Sequence, residues 1–147
     1  MLIEKAGRVL PFTPALVFDL VADVERYPAF LPWWISVSIR RRESDSCDVE
    51  QVVGRGPVQV RFASRAVMIR PERIDITSSD LPFRHLAICV RVVPGALTGC
   101  SLSLSARVEL RSFILQQIMQ RILATSINDI LAAFEERAHS LYGHRNP

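Results

Sequence analysis

Residues Ser112 to Tyr142 read SFILQQIMQRILATSINDILAAFEERAHSLY. Apolar side chains fall at Leu115, Ile118, Met119, Ile122, Leu123, Ile127, Ile130, Leu131, Phe134, Ala138 and Leu141, and the recurring steps of three and four follow the helical period. Gln116, Gln117, Gln120, Arg121, Asn128, Asp129, Glu135, Glu136 and Arg137 fill most of the gaps, so one face is apolar and the other wet. Ser112 suits an N-cap, and Gly143 stands where a left-handed residue would end the helix. No Pro or Gly interrupts the run. Fully helical, it would be about 45 Å long at roughly 1.5 Å per residue. Such a helix needs a broad apolar surface to lie against. The upstream chain must supply it, and its pattern predicts a curved β-sheet.

Upstream, Leu2 to Leu10 is rich in β-formers and reads as a first strand closed by Pro11. Thr13-Pro14 is a helix start, a hydroxyl cap followed by a proline that needs no N–H there. Ala15, Leu16, Phe18, Leu20 and Val21 then form the inner side, with Asp19 and Asp23 outside. Tyr27-Pro28 and Leu31-Pro32 allow only a short helical turn between them, because a residue before proline is pushed away from helical geometry. From Trp33 the period becomes two: Ile35, Val37 and Ile39 alternate with Ser36, Ser38 and Arg40. Cys47, Val49, Gln51 and Val53 form one face of the next strand, and Gly54-Arg55-Gly56-Pro57 turns the chain. Val58 to Ile69 is one long strand with a bulge expected near Ala63. Ile74, Ile76 and Ser78 follow, then Leu86, Ile88, Val90 and Val92, then Leu102, Leu104, Ala106 and Val108. Short links between successive strands mean hairpins and an antiparallel sheet. The expected order is one strand, two short helices, six strands and the long helix, in one α+β domain over residues 1–147.

The chain carries 18 basic against 15 acidic residues, and Lys5 is its only lysine. That balance is compatible with ordinary surface charge and also with weak attraction to anionic lipid or RNA. No apolar run approaches the roughly 20 residues of a membrane span, and Glu4, Lys5 and Arg8 do not suit a secretory leader. The expectation is a cytoplasmic protein, at most peripheral to the inner face of a membrane. Cys47, Cys89 and Cys100 show no CxxC spacing, and with His85, His139 and His144 they form no metal-ligand pattern, so small buried hydrophobes are their expected role. There is no G-x-S-x-G, H-E-x-x-H or phosphate-cradling glycine loop. His85 is the least implausible acid–base candidate, and no arrangement of residues identifies a nucleophile with its base.

Val21 to Trp33 read VADVERYPAFLPW. This resembles the signature of the coenzyme Q-binding START-domain family, within the polyketide cyclase/dehydrase and lipid-transport superfamily, whose bacterial branch includes ribosome-association toxins. Phe62-Ala63-Ser64-Arg65 is similar to its F-x-S-R strand, Pro82-Phe83-Arg84-His85-Leu86 to its G-P-F-[KR]-x-L turn, and Phe134-Glu135-Glu136-Arg137-Ala138 with Leu141-Tyr142-Gly143 to its F-E-x-R-A…L-Y-G ending. The resemblance covers nearly the whole chain and implies the helix-grip fold, a curved antiparallel sheet of about seven strands wrapped around a long C-terminal helix. The chain departs from the pattern at Trp34, at Leu81 in place of glycine, at Val90 and Val92 in place of aromatics, and in the loop Gly54 to Pro57.

The resemblance implies ubiquinone or a related polyprenyl lipid held non-catalytically in a pocket between sheet and helix. Tyr27, Phe30, Leu31 and Trp33 are candidates for its front wall, or for a membrane-touching lip, since aromatics suit an apolar–polar boundary. Phe62, Met68, Phe83, Leu86, Ile88, Ile118, Met119, Ile122 and Ile127 are candidate lining, each taken singly reading first as plain core. Arg65 is expected to hold an acidic partner such as Asp23 or Glu25, or to meet a polar head group. Arg40-Arg41-Arg42 reads as a solvated hairpin end, with phosphate contact as the alternative. Two further functions stay open: a partner of the large ribosomal subunit, working through an arginine-bearing surface, and an aromatase/cyclase-like enzyme. DNA is not an expected partner.

Overall fold

The computed structural model describes residues 2–143, with all side chains except those of Leu2, Arg55, Val58, Ile118, Met119 and residues 121–125. The expectations for the side chains of Ile118, Met119, Ile122 and Leu123, and for His144, lie outside the described residues.

The elements run β1 (Leu2–Leu10), α1 (Pro14–Ala22), a 3-10 turn (Val24–Arg26), α2 (Tyr27–Phe30), β2 (Trp34–Arg42), β3 (Ser46–Arg55), β4 (Val58–Ile69), β5 (Arg73–Ser78), β6 (Phe83–Pro94), β7 (Cys100–Leu110) and α3 (Phe113–Tyr142). All seven strands join in one antiparallel sheet of order β1-β7-β6-β5-β4-β3-β2. β2 to β7 follow one another as hairpins. β1 returns beside β7, so α1, the 3-10 turn and α2 must carry the chain from one sheet edge to the other.

The period-two pattern decides which face is inner. Cys100, Leu102, Leu104, Ala106, Val108 and Leu110 of β7 are all buried, while Ser101, Ser103 and Ser105 between them are half-buried. The register carries that face across the ladder, from Val108 to Leu86, from Leu104 to Val90, and from Val90 to Ile74. Ile127, Leu131, Phe134 and Ala138 of α3 join the same core. Burying one such leucine contributes about 1.5–3 kcal/mol. One glycine is sterically required: a Cβ on Gly99 would stand 2.9 Å from the carbonyl oxygen of Leu10.

Local signals act as expected at the helix starts. Thr13 Oγ1 accepts from the Leu16 N–H and Ser112 Oγ from the Leu115 N–H, capping α1 and α3. Several details differ from the sequence-based expectation. Gly143 is right-handed, at φ −74° and ψ −16°, its N–H donating to the His139 carbonyl. Leu115 and Leu141 are 42% and 47% exposed, so the predicted apolar stripe is not covered at these two positions. Ile35 is exposed because the β2–β3 register shifts between Trp34 and Ser36, which turns it outward before alternation resumes at Val37. The bulge expected near Ala63 does not occur in the β3–β4 pairing, which runs unbroken from Ser46–Val67 to Arg55–Val58. In α1 it is Val17 that is buried, while Ala15 is exposed. Leu31 before Pro32 is extended, but Tyr27 before Pro28 is helical, at φ −51° and ψ −42°.

Candidate functional site

The front of the molecule is an aromatic cluster. Tyr27 on α2 meets Phe30, Trp34 and Phe134 edge to face, with ring centroids 6.1, 6.0 and 5.7 Å apart. Phe30 also contacts Phe134 at 5.6 Å, and the Arg137 guanidinium lies 5.2 Å from its ring centre. Tyr27 and Leu31 are buried, so this corner is packed onto α3 rather than offered as a lip. The Tyr27 hydroxyl donates to the Val21 carbonyl, and burial, then the charges of Asp23 and Cys47, push its pKa well above the ordinary 10.0. Trp33 is half-buried in the left-handed region at φ 67°, where it turns α2 into β2, and its carbonyl accepts from the Gly54 N–H at 2.9 Å. Trp33 and Trp34 are both half-buried, because the left-handed backbone at Trp33 turns the chain before strand alternation begins at Trp34.

Along the inner face, Phe62, Phe83, Leu86 and Ile127 are buried, with Phe62 and Phe83 in edge contact at 5.0 Å. Met68 and Ile88 are half-buried on the same face, as are Val53, Val60 and Ile76. The register makes Val53–Val60 and Ile76–Ile88 direct neighbours, and Met68 pairs with Ile74 beside Ile76. The burial that closes the β7 side of the inner face is therefore incomplete across β3 to β6.

A polar chain that the sequence reading missed crosses this face. Trp34 Nε1 donates to Gln51 Oε1 at 3.1 Å, and Gln51 Nε2 donates to Ser64 Oγ at 2.8 Å. Gln51 and Ser64 are only 8% and 7% exposed. The available signal was a polar residue in each apolar register, Gln51 between Val49 and Val53, and Ser64 between Phe62 and Ala66.

Arg65 points the other way. It shares the outer face with Asp48, its register partner, and bonds the Asp48 carboxylate at 3.1 Å and Ser46 Oγ at 3.2 Å. The acidic partner is thus Asp48, not Asp23 or Glu25, because the tight β3–β4 hairpin sets those two residues opposite each other. Arg65 and exposed His85 border an open groove of about 510 Å³ that Asp48, Ala63 and Thr77 also line. The run Arg40 to Arg42 is charge-matched: Arg40 pairs with Glu50 at 2.5 Å, Arg41 with Glu43 at 3.4 Å and Arg42 with Glu25 at 3.5 Å. Glu50 also takes Arg61, and these hydrogen bonds hold its carboxyl below the usual range. Cys47 and Cys100 are buried and Cys89 half-buried, and burial pushes all three thiols up. Among the described residues no helix is long and apolar enough to cross a membrane.

A seven-stranded antiparallel sheet wrapped on one long C-terminal helix, with an apolar inner face, defines a START-like helix-grip protein. The chain belongs to the polyketide cyclase/dehydrase and lipid transport family, whose model matches residues 10–135. It is 27% identical to the ribosome association toxin RatA of Pseudomonas aeruginosa, over 95% of this chain and 96% of that one. It is also 27% identical to the mitochondrial coenzyme Q-binding protein COQ10 homolog B of Xenopus laevis, over 95% of this chain but 59% of the relative. A START superfamily protein from Mycobacterium smegmatis shares the fold at a TM-score of 0.82, with 14% identity over 95% of this chain and 98% of that one.

Proposed function

We propose that this chain binds a hydrophobic molecule, a polyprenyl quinone of the ubiquinone type, between the inner face of the sheet and α3, and that it carries or shields this cargo without transforming it. The observation that carries the reading is the incomplete closure of the inner face, where Val53, Val60, Met68, Ile76 and Ile88 keep part of their apolar surface accessible. At about 25 cal/mol per Å², covering a few hundred Å² of such surface is worth several kcal/mol, enough to hold a water-averse guest. In this reading Phe30, Trp33, Met68 and Ile88 touch the cargo. Tyr27, Leu31, Phe62, Phe83, Leu86 and Ile127 form the packed wall behind them, with the prenyl tail running along α3. Arg65 has no place in that lining, since it faces outward. His85, the residue best suited by type to acid–base work, is also outside it, which supports carriage over catalysis. A cargo that resides in bilayers implies transient contact with a membrane surface, and the matching location is the cytoplasm near the inner face of that membrane. The test is organic extraction of natively purified protein followed by mass spectrometry. A polyprenyl lipid at near-stoichiometric amount is expected, and an extract free of lipid would oppose the reading.

A second reading rests on the RatA relative, which this chain matches over nearly its full length. Association with the large ribosomal subunit would use the outer face, where Arg40, Arg61 and Arg65 lie among acidic partners. Salt-sensitive co-sedimentation with that subunit would favour it.

A further inference from the structure

We infer that Gln51 and Ser64 form a polar subsite that selects cargo bearing a hydrogen-bond acceptor such as a quinone carbonyl; the inference rests on the ligand-binding reading above. The directions of the bonds carry it. Trp34 can only donate, so Gln51 must present its carbonyl oxygen to Trp34 and its NH₂ group to Ser64. Ser64 Oγ then accepts, which leaves its own O–H to donate onward. One N–H of Gln51 is likewise still available. Among the described residues, no acceptor takes either hydrogen. Both side chains are more than nine-tenths buried, in registers otherwise filled by Val49, Val53, Phe62 and Ala66.

Unused donors in such a place are a cost that an apolar pair would avoid, and buried donors normally find partners. The chain also runs between the two aromatic groups of the inner face. Trp34 belongs to the cluster of Tyr27 and Phe134, while Ser64 neighbours Phe62, which contacts Phe83. A flat ring held by those aromatics would present a carbonyl edge to the O–H of Ser64 and the N–H of Gln51. A plain hydrocarbon would gain nothing from either donor and would leave both unpaired. The subsite therefore discriminates by chemistry where the rest of the face discriminates only by shape.

The test is a pair of titrations of delipidated protein, followed by tryptophan fluorescence. One probe is a benzoquinone with a decyl chain, and the other is decylbenzene, competed against it. Ser64→Ala is expected to weaken quinone binding roughly tenfold, the factor set by one lost net hydrogen bond, and to leave decylbenzene unchanged. Ser64→Thr keeps the hydroxyl and should keep the preference. Thermal melting of each variant shows that it is folded. Equal effects on the two probes, or no effect on either, would overturn the subsite alone. Failure of the native chain to bind either probe would overturn the cargo reading and the subsite with it.

Discussion

Arg8 on β1 and Glu135 on α3 meet across the sheet–helix boundary, Nη1 to Oε1 at 2.5 Å. The two lie 127 residues apart in sequence, and their pairing fastens the edge strand to the helix it grips. Each side chain is about one-third exposed, at 35% and 32%, so water screens much of the attraction. A double-mutant cycle of Arg8→Ala and Glu135→Ala in urea should give a coupling energy below about 1 kcal/mol. Adding about 1 M salt should reduce it further, as the screening length falls to about 3 Å.

Tyr27 gives a pH-dependent prediction. Its folded pKa lies above the ordinary 10.0, chiefly because the ring is buried. The contribution to stability is therefore fully present below pH 10 and is lost as pH climbs through 10 towards the folded value. In that window the native chain should lose up to about 1.4 kcal/mol per pH unit from this group. The thiols of Cys47, Cys89 and Cys100 add losses of the same sign from their ordinary value of 9.0 upward. Tyr27→Phe should cost about 1–3 kcal/mol at neutral pH, because the Val21 carbonyl loses its partner. The variant should also show a shallower alkaline decline in denaturant midpoint.

The start of α3 is tied down twice. Gln116 Oε1 accepts from the Leu110 N–H at 2.7 Å, bridging β7 to the helix, while Ser112 Oγ caps the first turn at 3.3 Å. Ser112→Ala should cost about 1 kcal/mol. Gln116→Leu should cost more, about 1–3 kcal/mol, since it strands a donor on buried Leu110. Urea unfolding of both variants checks the order, and a larger loss for Ser112→Ala would contradict it.

Enlarging an inner-face side chain probes whether room exists for cargo. Met68→Trp in a fully packed interior would cost about 1–3 kcal/mol through overpacking. If the space beside Met68, Ile76 and Ile88 is where a guest lies, the variant should melt near the native temperature and retain far less extractable lipid. A strongly destabilised variant with unchanged lipid content would count against a cavity at that point.

Much of the fold was legible because strand alternation and helix periodicity are local. The seven strands, the caps Thr13 and Ser112, and the long helix all follow from residue spacing. What escaped was set by pairing. Ile35 reads as inward by alternation, but the register shift between Trp34 and Ser36 falls on it and turns it out. Arg65 was assigned acids from the front corner, while the hairpin placed Asp48 opposite it. Gly143 was expected to be left-handed, yet the last turn closes with right-handed geometry, so that position did not require glycine's freedom. At the front corner, Tyr27 and Phe30 of the expected wall do meet ring to ring, but the tryptophan that joins them is Trp34, not Trp33, because Trp33 sits in the left-handed turn before the strand. Gln51 and Ser64 could not be read from the sequence, because a polar residue in an apolar register acquires meaning only when its partner on the next strand is known.

The central claim is that the interior holds a guest, and native mass spectrometry of the intact, gently purified chain tests it most directly. A population heavier than the polypeptide by the mass of one polyprenyl lipid is predicted, with the excess lost after organic extraction and regained when a ubiquinone is added back. A single species at the polypeptide mass, unchanged by added ubiquinone, would contradict the account.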